Sequence, residues 1–75
     1  MKLPSISGGE LVKRLTRFGF VVSRRKGSHV RLEKSIGDKK TIKITVPLHK
    51  VLKKGTLHSI LKVSGLTEQE FEALK

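Results

Sequence analysis

Apolar residues change their spacing along the chain, and each change marks an element. Leu11, Leu15 and Phe18 recur at helical spacing, and Ser7-Gly8-Gly9-Glu10 precedes them with the Ser-x-x-Glu spacing of a capping box. In such a box Ser7 accepts a hydrogen bond from the third helical amide while Glu10 reaches back to the cap, and Ile6 and Leu11 flank it as a hydrophobic staple. The pattern predicts a helix that begins after Ser7 and stops at Gly19, with Lys13, Arg14 and Arg17 turned away from the apolar stripe.

From Phe20 to Pro47 the period falls to two and β-branched residues accumulate, which predicts three strands in an antiparallel meander. Val30 and Leu32 alternate with His29, Arg31 and Glu33; Ile42, Ile44 and Val46 alternate with Thr41, Lys43 and Thr45. One face of this sheet is apolar and the other basic. Register in the first hairpin depends on its turn. A two-residue turn at Lys26-Gly27 would put Phe20 and Val22 on the face of His29, whereas a three-residue loop, Lys26-Gly27-Ser28, aligns them with Val30 and Leu32. The larger buried apolar set favours the three-residue loop. It sets Arg25 across from His29 and Ser23 across from Arg31.

Pro47 ends the third strand, and a basic connector from Leu48 to Gly55 carries His49, Lys50, Lys53 and Lys54. A second helix is expected with Thr56 as N-cap, Leu57, Ile60 and Leu61 as its stripe, and Gly65 as its glycine stop with Leu66 against Leu61. Thr67-Glu68-Gln69-Glu70 repeats the capping-box spacing, with Leu66 and Phe71 as staple, and predicts a short acidic C-terminal helix. The order α-β-β-β-α plus that short helix predicts a two-layer α+β fold, a three-stranded antiparallel sheet with helices on one face, as a single domain over residues 1–75.

Charge adds the first functional constraint. Seventeen Lys and Arg face six Asp and Glu for a net charge of +11, and residues 1–66 hold 16 basic against 3 acidic side chains. That excess is larger than solubility needs and creates a field that draws polyanions, nucleic acid foremost. The absence of cysteine excludes disulfide staples and thiol catalysis. With no long apolar run and no signal-peptide pattern in Met1-Lys2-Leu3-Pro4-Ser5, a soluble cytoplasmic protein without membrane contact is expected.

Catalytic chemistry has few sources. Glu10, Glu33 and Asp38 are scattered over a cap, a strand and a turn, and His29, His49 and His58 lack metal-ligand spacing, so neither a metal site nor any cofactor is expected. Metal-free acid-base work by histidine remains. RNA carries its own nucleophile, the 2′-OH, so one imidazole and a few cations suffice to cut it. His29 has the best setting, just after a turn and among Arg24, Arg25, Lys26, Ser28 and Arg31, with Lys43 further along the same face. His49 and Lys50 add phosphate contacts from the connector. The three phenylalanines have core duties and there is no Trp or Tyr, which favours recognition of backbone charge and shape over base stacking. A basic RNA-binding module without catalysis is the alternative from the same residues.

Four stretches together resemble a known family. Gly27-Ser28-His29 lies between two strands; Ile44-Thr45-Val46-Pro47-Leu48-His49 and Leu52-Lys53-Lys54-Gly55-Thr56-Leu57 follow; Ile60-Leu61 leads to Gly65-Leu66. With the opening run from Gly8 through Leu15 to Gly19-Phe20, these resemble the HicA-type toxins of bacterial and archaeal toxin–antitoxin pairs over nearly the whole chain. The resemblance implies a double-stranded-RNA-binding-domain-like fold and a metal-independent mRNA endonuclease that arrests translation. It implies His29 as the catalytic histidine, mRNA as substrate and a HicB-type antitoxin that covers it. The chain departs from many members after His29, where Val30-Arg31-Leu32 stands and they carry an aromatic residue.

Overall fold

The computed structural model describes residues 5–75, so the reading of residues 1–4 as free of a leader pattern lies outside the described residues. Helix α1 spans Gly8–Arg17, strands β1, β2 and β3 span Val21–Lys26, His29–Ile36 and Lys40–Pro47, and helices α2 and α3 span Lys54–Ser64 and Glu68–Ala73. The strands form one antiparallel sheet in the order β1-β2-β3. This is the expected α+β arrangement. Among the described residues no helix is long and apolar enough to cross a membrane.

The core forms where the apolar face of the sheet meets the helices. Val30 and Leu32 of β2 and Ile44 and Val46 of β3 are buried with Leu11 and Leu15 of α1, Leu57, Ile60 and Leu61 of α2, and Phe71 of α3. Their partners across the sheet, Val30 with Val46 and Leu32 with Ile44, stack as direct cross-strand pairs. The chain leaves α1 through Gly19, at φ 109°, a conformation that costs little without a Cβ, and Phe20 then turns into the core. The β2 alternation continues inward at Lys34, opposite Ile42, yet its amine stays satisfied. It lies 3.9 Å from the Phe18 ring centroid and donates to the Phe18 carbonyl at 3.1 Å.

Three details of the helices differ from the sequence expectation. Ser7 caps α1 by accepting from the Glu10 amide at 3.0 Å, but the Glu10 carboxylate accepts from Arg14 Nε at 3.2 Å instead of returning to the cap. Arg14 does not face away from the core: it is only 8% exposed, with its guanidinium 4.4 Å from the Phe71 ring centroid and Nη1 donating to the Phe71 carbonyl. A flat, weakly hydrated cation can be buried over an aromatic face, so α3 docks onto α1 through an arginine. In α2 the cap is Lys53 and not Thr56. The Leu57 amide closes the first turn on the Lys53 carbonyl, which places Thr56 inside the helix, and the N-terminus has no side-chain cap. Gly65 ends α2 in the left-handed region, and the Leu66 amide bonds back to the Leu61 carbonyl as expected. The full capping box appears at Thr67 and Glu70 of α3.

Helix α1 is pressed against the end of β3. The Gly8 amide donates to the His49 carbonyl at 2.9 Å, and a Cβ at Gly8 would collide with the Pro47 carbonyl oxygen. This close approach, with the Leu48 amide bonded to the Ser28 carbonyl at 2.6 Å, clamps the connector between the first hairpin turn and the start of α1.

Candidate nucleic-acid interface

The turn between β1 and β2 decides which cations meet His29. It contains two residues, Gly27 and Ser28, and Gly27 alone has positive φ, at 57°. Glycine at the first central position with an ordinary residue second fits the type II′ pattern that matches strand twist. Lys26 is therefore the cross-strand partner of His29, Arg25 of Val30 and Arg24 of Arg31. The expected three-residue loop, with Arg25 across from His29, does not form.

A tight turn alone would have carried Val22 onto the outer face. A β-bulge between Val22 and Arg24 absorbs one residue, Ser23, whose hydroxyl donates to the Arg31 carbonyl at 3.3 Å. Beyond the bulge Val22 pairs with Leu32, the alignment the burial argument required, although at the sheet edge it stays 43% exposed. The strand thus satisfies both demands, Val22 in register with the core residue Leu32 and Arg24 and Lys26 outward beside His29.

On the outer face Arg24, Lys26, His29, Arg31 and Thr45 line an open hollow of about 270 Å³. All five side chains are exposed. Arg31 stands between Arg24 on β1 and Thr45 on β3, its two cross-strand partners, and His29 stands between Lys26 and Pro47. Three cations, one imidazole and one hydroxyl converge with no carboxylate among the lining residues. Such a set is complementary to a phosphodiester: the cations balance its charge, the hydroxyl adds a hydrogen bond, and the imidazole can accept or return a proton.

Of the residues singled out in the sequence, Arg24, Lys26, His29 and Arg31 meet in this hollow. Arg25 is exposed but lies in register with Val30, off the His29 face. Ser28 serves the turn, its carbonyl held by Leu48. Lys43 is on the outer face two positions before Thr45 and lines a separate groove toward α2 with Ile44, Ile60 and Val63. His49 and Lys50 are on the connector, outside the hollow. Thr45 was not singled out. Its alternation with Ile44 and Val46 put it on the outer face, but only the β2–β3 register sets it opposite Arg31. Among the described residues no three His, Asp or Glu side chains group as metal ligands.

A search of curated proteins finds no match. A family model for the HicA toxin of bacterial toxin–antitoxin pairs matches residues 8–66, from the first residue of α1 to the residue after the glycine stop of α2.

Proposed function

Because the chain belongs to the HicA toxin family and is thus the toxin of a toxin–antitoxin pair, we propose that it is a metal-independent mRNA endonuclease whose general base is His29. A phosphodiester of single-stranded or locally opened RNA rests in the hollow with its nonbridging oxygens toward Arg24, Lys26 and Arg31. The His29 imidazole takes the proton of the adjacent 2′-OH. The 2′ oxygen then bonds to phosphorus, the bond from phosphorus to the 5′ oxygen breaks, and a 2′,3′-cyclic phosphate remains on one fragment. The leaving 5′ oxygen is protonated from solvent, to which the hollow is open. The cations offset the charge that grows on the phosphoryl oxygens as the fifth bond forms.

The single observation that carries this reading is the convergence of His29 with three cations in one hollow lined by no carboxylate. The same charge accounts for the partner: the family implies a HicB-type antitoxin, and an acidic face of that protein laid over the hollow would exclude RNA. The setting proposed for this chemistry is the cytoplasm, where messages are translated. The test is incubation of the protein with RNA in excess EDTA. Cleavage that disappears in His29→Ala while RNA binding persists supports the enzyme. Binding without cleavage by the parent protein would leave an RNA-binding module in its place.

A further inference from the structure

The outer face of the sheet continues beyond the hollow at His29 into a second and larger one. It has a volume of about 500 Å³ and is lined by Val21, the bulged Ser23, Glu33, Lys34, Ser35 and Thr41 beside Gly19. Unlike the first it holds a carboxylate, Glu33, and only one cation, Lys34. Glu33 is the only carboxylate in the three strands and belongs to a body with sixteen basic side chains. Among the described residues its carboxylate takes part in no ion pair and no side-chain hydrogen bond, although Lys43 is its cross-strand partner. The neighbouring Lys34 amine is turned to the opposite face, held by the Phe18 ring and carbonyl.

An unpaired carboxylate on a face that attracts phosphate works against backbone binding at that spot. It suits a base. A carboxylate accepts hydrogen bonds from an exocyclic amino group such as cytosine N4 and is repelled by the carbonyl that uracil presents at the same position. The hydroxyls of Ser23, Ser35 and Thr41 can follow with further bonds to the base edge, and Val21, 67% exposed, offers an apolar surface for its flat side.

We propose that the hollow at Glu33 is a base-reading subsite, which takes a nucleobase with an exocyclic amino group on the same RNA strand whose phosphodiester lies at His29. The inference rests on the reading of this sheet face as RNA-binding. His29 and Glu33 are four residues apart on one strand, about 13 Å at the ~3.3 Å rise of a β-strand. That is about four nucleotides at the ~3.4 Å spacing of a stacked strand and fewer in an extended one. The base read is thus not the one next to the cleaved linkage.

Affinities of His29→Ala for oligocytidylate and oligouridylate of equal length test the proposal, with Glu33→Gln added to that background. The expected preference for oligocytidylate is about tenfold, the scale of one hydrogen bond to a charged group. The side-chain amide introduced by Glu33→Gln can accept from cytosine or donate to uracil, so the preference should fall below about twofold, with the affinity for oligouridylate raised. A ratio that Glu33→Gln leaves unchanged, or no preference while Glu33 is in place, overturns the subsite alone. Failure of both oligonucleotides to bind would overturn the RNA interface and the subsite with it.

Discussion

Lys26, not Arg25, stands directly across the first hairpin from His29, because Gly27 and Ser28 close a two-residue turn. The relationship separates two adjacent cations that a net-charge argument treats alike. Arg24→Ala and Lys26→Ala should each lower RNA cleavage by about 10- to 100-fold, the loss of one charge-assisted contact to the reacting phosphate. Arg25→Ala, in register with Val30, should change it by less than about threefold. Initial rates on one RNA substrate check this; equal losses at Arg24 and Arg25 would contradict the register.

The contribution of the hollow to binding can be read from salt. For single strands each phosphate neutralised contributes about 0.7 to the slope of log K against log salt. Measured in the His29→Ala background, removal of Arg24 or Arg31 should flatten that slope by about 0.7 each. A slope insensitive to both would mean that the phosphate lies elsewhere.

The sequence pattern located the elements well. Helical and two-residue periods, the Ser7 and Thr67 caps and the Gly65 stop all correspond to observed features, since each depends on neighbours a few residues away. What it missed depends on contacts distant in the chain. Arg14 reads as a solvent residue until Phe71 arrives beneath it from 57 positions away. The hairpin turns neither at Lys26-Gly27 nor over Lys26-Gly27-Ser28: both alignments assume an unbroken strand, and the tight turn falls at Gly27-Ser28. The Ser23 bulge allowed both the tight turn and the inward apolar register. His29 and three of its cationic neighbours were legible as a cluster in sequence, whereas Thr45, and the exclusion of Arg25, needed the register of both strand pairs.

Gly8 and Gly9 are adjacent in α1 and should respond in opposite ways to alanine. A methyl at Gly8 meets the Pro47 carbonyl and must push α1 off β3, at about 1–3 kcal/mol, which is a fall in Tm of roughly 4–24 °C for a domain of this size. At Gly9 the nearest atom is Ser7 Oγ at 4.0 Å, so the better helix propensity of alanine should raise stability by up to about 1 kcal/mol. Thermal melts of the two variants decide it.

Arg14→Ala removes both the stacking on Phe71 and the bond to its carbonyl. The expected cost is about 1–3 kcal/mol in denaturant unfolding, with amide protection in α3 lost before that of the sheet. Lys13→Ala, on the exposed side of the same helix, should stay within about 0.5 kcal/mol of the parent protein.

The most direct measurement of the proposed chemistry alters the substrate and leaves the protein whole. An oligoribonucleotide cut at a mapped linkage would be remade with a single 2′-deoxy sugar on the 3′-oxygen side of that linkage, then incubated with the unmodified protein in EDTA. If the His29 imidazole activates that hydroxyl, the linkage is spared, neighbouring sites remain cleavable, and the fragments of the all-ribose substrate end in 2′,3′-cyclic phosphate. Cleavage of the deoxy linkage at an undiminished rate would contradict the mechanism.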